Sequence, residues 1–409
     1  MKRIGIISIL AALQLLIFGC TREEPQCLKN VRIATVLPLN FKPDIKYNNR
    51  EIVLSNQNVT YKCFTNEEGV VEIPELIPDV YTINTCWELT GAQYKELLNE
   101  PINLEDRIKV LVTGTLPNTP IFSSEDLSLV LEGIVLKDLV ISKIYYSGTK
   151  DNLNRNYSSD QFVEVFNNSD ETVYIDGKYI ALTESRSPAA FLAIDNPEYI
   201  YARQICKFPG NGTEFPVYPG QSIVIAARSA RNHTISAANS VDLSCADFEV
   251  KDYDGMGNPD VLSLPMYSSS TAIKFFNLIT GGPNGVFLFE TDQDVLSWPE
   301  VNVPGSSSSE RFRQIPVGTV IDGVEVLKNE TVNGPNVGLK RLQNFIDAGF
   351  VCISASTGYV NESVERKVCK LGNNRVYLQD TNNSSEDFVV IKGPTPRDYQ
   401  NPNLLNLEQ

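Results

Sequence analysis

The chain has 409 residues, 42% of them hydrophobic and 21% charged, and a net charge of −15. This composition is that of a folded protein and excludes a disordered chain, and the length predicts two or three domains, or fewer if they are large β domains. The acidic balance, with no cluster of Lys and Arg, argues against binding to nucleic-acid phosphates and against electrostatic docking on anionic lipid.

The first 19 residues have the layout of a secretory signal peptide, because Lys2 and Arg3 precede an apolar run shorter than the roughly 20 residues that span a bilayer. The run ends in "LIFGC", residues 16–20, which resembles a bacterial lipobox. That resemblance implies that Cys20 is the first mature residue and carries the lipid. The alternative is a cleaved signal with an incidental cysteine. No second apolar run reaches membrane length, so acyl chains would be the anchor.

The residues after this cysteine are acidic. The stretch "CTREE", residues 20–24, resembles the export signal of Bacteroidetes-type surface lipoproteins, which implies a location on the outside of the outer membrane. The alternative is a plain polar tether, which the sequence predicts over residues 20–30. Cleavage before this stretch removes two positive charges and takes the net charge from −15 to −17. Such a charge favours solubility or the attraction of cationic partners.

Residues 31–135 are predicted to form a first β domain. Residues 65–69 are a turn in which Gly69 is free to take a positive φ. Residues 90–99 are the clearest helix, since Thr90 and Gln93 have the spacing of a capping box. The stretch "VTYKCFTNEEGVVEIPELIPDVYTINT", residues 59–85, resembles the transthyretin-like or carboxypeptidase-regulatory-like β-sandwich.

Residues 136–409 are predicted to form a second β domain with insertions. The stretch "QFVEVFNNSDETVYIDGKYIAL", residues 161–182, resembles the lamin-tail domain, an immunoglobulin-like sandwich, with Glu164, Asn167 and Gly177 at matching positions. Further segments match in order at residues 218–227, 320–326, 363–367 and 380–402. The whole arrangement resembles an uncharacterised Bacteroidetes lipoprotein family. The expected fold class is therefore all-β, with two β-sandwich domains, and short β-branched runs between turn residues predict it independently.

Seven cysteines remain if Cys20 is lipidated. No CxxC spacing is present, which argues against thioredoxin-like and zinc-ribbon sites, and an exported chain permits disulfides. Closeness in sequence suggests three pairs with Cys27 left over, and the alternative is small buried thiols. The suggested pairs are Cys63–Cys86, Cys206–Cys245 and Cys352–Cys369.

Few residues offer recognisable chemistry. His233 is the one histidine, and no matching nucleophile motif accompanies it, so it is interpreted as an ordinary loop residue. Asp252, Asp254 and Asn258 have the spacing of an EF-hand loop, but Met256 and Ser263 occupy two other ligand positions, so a polar turn is favoured over a metal site. Glu164 is interpreted as structural. No cofactor is expected.

Tyrosines recur in the second domain and allow two interpretations. They form an aromatic platform for a glycan or peptide, or they are partly buried under long insertions, which is the favoured interpretation. The residues are Tyr145, Tyr146, Tyr157, Tyr199, Tyr201, Tyr253 and Tyr267.

The sequence as a whole predicts a non-enzymatic binding or interaction module, held on the outer membrane by an N-terminal lipid and facing the cell exterior. A TonB-dependent transporter is the expected partner, because many such lipoproteins are accessory subunits of these transporters, and nucleic acid is not expected. One alternative is an adhesin or envelope-structural protein. The other is a hydrolase with an unrecognised carboxylate site.

Overall fold

The computed structural model describes residue 27 and residues 31–38, 40–43, 45, 47–56, 58–100, 106, 108–124, 126–135, 137–250, 257–270, 272–329, 337–372 and 375–401. The predicted signal peptide, Cys20 and all of the predicted tether except Cys27 lie outside these residues. No helix in the described parts of the chain is long and apolar enough to cross a membrane.

The chain is nearly all β, with 42% of residues in strands and 7% in helices, which confirms the predicted fold class. It divides into two compact units. The first contains residues 1–87, 96–102 and 112–132, and the second contains residues 88–95, 103–111 and 133–409.

The front of the chain forms two sheets. Their strands are β1 (Val31–Val36), β2 (Glu51–Ser55), β3 (Thr60–Phe64), β4 (Val70–Ile73), β5 (Asp79–Thr90), β6 (Lys109–Ile121), β7 (Asp126–Val130) and β8 (Glu132–Val135). One sheet has the order β4-β1-β7 and the other β3-β2-β5-β6-β8. Alternating side chains are buried, as in Ile52 and Leu54 of β2 and Tyr81 and Ile83 of β5, which is the pattern of strands with one face on a core.

Two local predictions for this region are confirmed. The turn before β4 places Gly69 at φ +75°. The predicted helix is α1 (Gly91–Leu97), which begins directly after the capping box. Gln93 Oε1 accepts the Thr90 N–H at 2.9 Å, and Thr90 Oγ1 accepts the Gln93 N–H at 3.2 Å.

The second unit is built on two larger sheets. Their strands are β9 (Leu139–Tyr145), β12 (Phe162–Asn167), β14 (Tyr179–Thr183), β15 (Tyr199–Lys207), β17 (Ser222–Ala226), β18 (Phe248–Glu249), β19 (Leu262–Ser263), β20 (Met266–Ser268), β21 (Asn284–Phe289), β22 (Glu300–Asn302), β23 (Arg311–Pro316), β24 (Val320–Val326), β25 (Glu362–Arg366) and β28 (Phe388–Lys392). Three short pairs accompany them: β10 (Thr149–Lys150) with β11 (Asn156–Tyr157), β13 (Val173–Tyr174) with β16 (Pro216–Val217), and β26 (Val368–Gly372) with β27 (Arg375–Leu378).

The first large sheet has the order β19-β18-β17-β12-β9-β25-β28, and the second has the order β22-β23-β15-β14-β21-β24, with β20 pairing β15. The main core lies between them, with Ile141, Val163 and Ile225 from the first sheet and Ile180 and Leu288 from the second. Both faces of these strands are covered, so β12 and β14 are buried along their whole length. Continuous apolar runs, and not strict alternation, are therefore their sequence signature.

Residues 228–250 and 257–270 contribute to the core. Phe248 and Val250 are buried in the core, and the first sheet is extended by β18, which pairs in parallel with β17, and by β19, which pairs in parallel with β18. A short helix, α2 (Ser384–Asp387), precedes the last strand and is capped by Asn383.

Candidate functional site

The outer face of the second sheet carries a cover of loops that presents apolar side chains to solvent. We call this cover the loop cap and define it as residues 190–198, 294–298 and 340–347. Ala181, Ile200 and Phe287 face outward from the sheet, and Val295, Trp298, Leu342 and Ile346 of the loop cap pack with them in one buried cluster. Loops 294–298 and 340–347 are therefore held to the sheet by a core of their own.

Loop 340–347 is held in place by buried charges. Glu325 Oε2 accepts the N–H groups of Arg341 and Leu342 at 2.8 and 2.7 Å. The Arg341 guanidinium donates to Glu184 Oε1 at 3.0 Å and to the Arg186 carbonyl at 2.6 Å. Asp347 closes the loop, since its carboxylate accepts the Glu325 N–H at 2.7 Å.

Two hydrogen bonds join loops 190–198 and 340–347, and a third joins loop 340–347 to Tyr199 at the start of β15. Ala193 N–H donates to the Lys340 carbonyl at 3.0 Å. Gln343 Nε2 donates to the carbonyls of Asn196 and Tyr199 at 2.7 and 3.1 Å. Because backbone groups take part on both sides, the two loops hold a fixed relative position.

The 294–298 segment is anchored in the same way. Asp294 caps its single turn by accepting the Leu296 N–H at 3.0 Å. The Arg313 guanidinium donates to the carbonyls of Leu296 and Trp298 at 2.8 and 2.5 Å, and Trp298 Nε1 donates to Gln293 at 2.7 Å. This part of the loop cap is fixed to β23.

Three large apolar side chains of the loop cap point into solvent. Ile194 is 85% exposed, and Leu296 and Phe345 are each 62% exposed. Exposed apolar side chains on a rigidly held surface are a feature of protein-binding sites. No sequence pattern indicates this surface, because its support comes from residues far apart in the chain.

The carboxyl group of Glu325 lies in a perturbing environment beneath the loop cap. It is fully buried, and its Oε1 has no hydrogen-bond partner among the described residues. Burial raises the pKa of Glu325 to about 7, although Arg341, 3.9 Å away, acts to lower it. The group therefore titrates near neutral pH.

Glu164 is structural, as interpreted, but it lies in the middle of β12 and not at a turn. It is fully buried, and burial raises the pKa of its carboxyl group. Its carboxylate accepts the Ser222 hydroxyl at 2.5 Å and the Arg397 N–H at 3.0 Å. These bonds fix the closing segment of the chain to the first sheet.

His233 is fully buried. It begins a short 3-10 helix, and its Nε2 lies 2.9 Å from the Ser229 carbonyl while Nδ1 lies 2.7 Å from the Tyr157 hydroxyl. Nε2 therefore carries the proton, and Nδ1 accepts. Burial lowers the pKa of His233 to about 4, so the ring is neutral at physiological pH.

Of the three metal candidates, one lies in the described parts of the chain. Asp252 and Asp254 lie outside them. Asn258 makes hydrogen bonds within the fold. Its N–H donates to Glu249 at 2.9 Å, and its side-chain amide donates to the Ala230 carbonyl at 2.8 Å. Among the described residues, no group of three or more His, Cys, Asp or Glu side chains could hold a metal ion.

The cysteines do not form the suggested pairs in the described structure. Cys63, Cys206, Cys245 and Cys352 are free cysteines, so each suggested bridge to Cys86, Cys245 or Cys369 lacks at least one partner. For the first pair the reason is the sheet order, which places β2 between the strands of Cys63 and Cys86. Two strand spacings are about 9.6 Å, beyond the roughly 7 Å that a disulfide tolerates between Cα atoms.

The tyrosines fit the burial interpretation. Tyr145, Tyr146 and Tyr201 are buried, and Tyr157, Tyr199 and Tyr267 are partly buried. Tyr253 lies outside the described residues. The aromatic rings that could have formed a platform contribute instead to packing and to internal hydrogen bonds, such as the one from Tyr145 to Asp160 at 2.9 Å.

Fold and site thus define an all-β protein whose larger unit carries a loop-built surface. Residues 218–395 match a family model described as "Protein of unknown function (DUF4876)". The fold is similar to that of a crystallised DUF4876 family protein from Bacteroides thetaiotaomicron VPI-5482, with a TM-score of 0.58 and 22% identity over 90% of this chain and 96% of that one. These two matches confirm the expected resemblance to a Bacteroidetes family of unknown function.

Two other comparisons add little. A DUF3823 family protein from Bacteroides ovatus ATCC 8483 covers 48% of this chain and 98% of its own, at 10% identity and a TM-score of 0.12. The curated proteins contain no match to this chain. The transthyretin-like and lamin-tail assignments stay predictions.

Proposed function

We propose that this protein is a lipid-anchored interaction module of the outer membrane, which binds a protein partner through the loop cap. The observation that carries the proposal is the exposure of Ile194, Leu296 and Phe345 on loops that buried hydrogen bonds hold in place. A surface that is rigid before binding loses little conformational entropy on association. Solvent-exposed anchors of this kind favour binding over an exclusively structural role.

The buried carboxylates support a non-enzymatic role. Asp322, Asp380 and Asp387 are each paired with the Arg366 guanidinium, at 2.9, 3.2 and 3.3 Å. Glu164 and Glu184 are held by hydrogen bonds in the same manner. These groups orient the chain, and a hydrolase would need carboxylates that face a substrate.

The proposed partner is a transporter of the TonB-dependent kind. A lipid on Cys20 would hold the protein at the membrane that contains such transporters. An adhesin is the alternative, and it predicts defective attachment of cells without recovery of a transporter.

The role of the loop cap in partner binding can be tested by affinity capture from detergent-solubilised outer membranes. We expect the wild-type chain to recover a transporter and the double variant Ile194→Ser, Phe345→Ser to lose it. Leu153→Ser is the matched control, because Leu153 is 72% exposed on a different loop. Equal recovery by wild type and double variant would remove the loop cap from the proposal, and capture of no transporter would remove the partner.

The anchor and the location need separate measurements. Mass spectrometry of the N-terminal peptide should find diacylglycerol on the Cys20 sulfur. Protease treatment of intact cells should degrade the protein if it faces the exterior, whereas a protein that is cut only after lysis faces the periplasm.

A further inference from the structure

A buried row of charges crosses the centre of the first large sheet. Lys143 on β9 is the cross-strand neighbour of Glu164 on β12 and of Glu365 on β25. All three side chains are buried. A lysine with a carboxylate on each adjacent strand is costly to bury unless the charges are fully paired.

The last segment of the chain closes over this row. Arg397 N–H donates to Glu164 at 3.0 Å. Asp398 Oδ1 lies 2.5 Å from Lys143 Nζ, and Glu365 Oε2 lies 2.7 Å from the same nitrogen. The Tyr399 ring covers the ammonium group, with its centroid 4.4 Å from Nζ. Water is therefore excluded from the lysine, whose side chain is 0% exposed.

We propose that Lys143 and Asp398 are the site of an intramolecular isopeptide bond, formed with Glu365 as the proton carrier. The proposal rests on the placement of one amine between two carboxyl groups in a buried, aromatic-covered position. Groups held in contact react far faster than the same groups free in solution, because the entropic cost of bringing them together is already met. Loss of the charged pair also removes two buried charges from a site of low dielectric.

The reaction is a condensation without oxidation or reduction. The Lys143 ammonium passes one proton to Glu365, and the neutral amine attacks the carboxyl carbon of Asp398. A C–N bond forms and one C–O bond of Asp398 breaks. The departing oxygen leaves as water, with one proton from the nitrogen and the proton that Glu365 holds. Glu365 ends as it began, as a carboxylate.

The acidic surroundings explain why a proton carrier is needed. Burial acts to lower the pKa of Lys143, but Glu365, Glu164 and Asp398 outweigh it and raise the pKa above its usual value. The ammonium form is thus the resting form, and it cannot attack. Asp398 is the partner that lies nearer to solvent, with 19% of its side chain exposed, so the released water has a route out.

Lys137 provides a matched comparison within the same unit. It also lies between two carboxylates, Asp322 and Asp380, each at 3.1 Å. Both of those carboxylates are also paired with the Arg366 guanidinium, so each is held by a second cation besides the lysine. We therefore expect no bond at Lys137.

Peptide mapping of the full chain tests the proposal. Trypsin cannot cleave after an acylated lysine, so residues 138–150 should appear joined to the peptide that begins at Asp398, lighter by one water than the two separate peptides. Recovery of a free peptide that ends at Lys143 overturns the proposal. A bridge from Lys143 to Glu365 overturns the assignment of Asp398.

Variants give a second readout. Lys143→Arg keeps the charge and cannot form the amide, and Glu365→Gln removes the proton carrier, so both should yield unbridged peptides. The Lys137→Arg variant is the control and should keep the bridge between Lys143 and Asp398. A bridged digest of Glu365→Gln would overturn the role of Glu365. If a variant does not fold, the digest of the wild-type chain alone decides whether the bond exists.

Discussion

The guanidinium of Arg341 and the carboxylate of Glu184 form a buried ion pair of 3.0 Å, which joins the loop cap to the end of β14. Glu184 also accepts the N–H groups of Arg186 and Ala190 at 2.6 and 2.9 Å. One carboxylate therefore organises two loops, and its partner guanidinium balances its charge.

Removal of this arginine should destabilise the second unit. Arg341→Met leaves Glu184 buried without its counter-charge, and breaking a buried pair in this way costs about 3–5 kcal/mol. The measurement is urea unfolding followed by the fluorescence of Trp298, in a Trp87→Phe background so that the first unit is silent. Arg155→Met is the control, since its pair with Asp151 is exposed and is worth at most about 1 kcal/mol. Equal losses in the two variants would contradict the prediction.

The stability of the second unit should change with pH because of Glu325. Its folded pKa of about 7 lies above the ordinary value of 4.5, so the folded chain binds more protons than the unfolded chain between these values. The contribution of this group to the free energy of unfolding therefore falls by roughly 3 kcal/mol in total as pH rises from 4.5 to 7. It stays low above pH 7.

Glu325→Gln should remove this dependence, because the amide does not titrate. The test compares Trp298-monitored unfolding of the wild type and the variant over the same pH series. A variant whose stability changes with pH as steeply as that of the wild type would show that Glu325 is not responsible. Burial also raises the pKa of Asp160 to about 6. Because Asp160 is present in both proteins, its contribution cancels in the comparison.

Local features of the fold could be predicted from the sequence because neighbouring residues determine them. The capping box of α1 needs Thr90 and Gln93 alone, and the turn before β4 needs Gly69. The all-β class follows from short β-branched runs between turn residues.

Features that depend on distant residues could not be predicted. Loop 340–347 is held by Glu184 and Glu325, and nothing in the spacing of these residues indicates contact. The burial of His233 depends on Tyr157, which approaches from another hairpin. The suggested disulfides used closeness in sequence, whereas the sheet order places β2 between Cys63 and Cys86.

Gly69→Ala should destabilise the first unit. The residue has φ +75°, and an added Cβ would lie 2.8 Å from Thr35 Oγ1. Such a backbone costs a non-glycine residue about 1–3 kcal/mol. Unfolding followed through Trp87 in a Trp298→Phe background measures the loss. The control is Gly318→Ala in the second unit, followed through Trp298 in a Trp87→Phe background, since no atom lies within 4 Å of its added Cβ and its φ is not positive. A loss in Gly318→Ala as large as that in Gly69→Ala would contradict the strain argument.

The single histidine permits a direct measurement of burial. Burial lowers the pKa of His233 to about 4, so its folded state stays neutral where an exposed histidine becomes charged. In a chain without an affinity tag, the imidazole NMR signals should stay constant between about pH 5 and 8. Because the unfolded chain binds the proton first, this group's contribution to stability is complete above pH 6.5 and is lost as pH falls towards 4.

Tyr157→Phe removes the hydroxyl that donates a hydrogen bond to Nδ1 of His233, so it should lower the stability of the fold while the ring remains buried. Signals that titrate with a midpoint near 6.5 in the wild type would place the ring in solvent and contradict the hydrogen bonds to Ser229 and Tyr157.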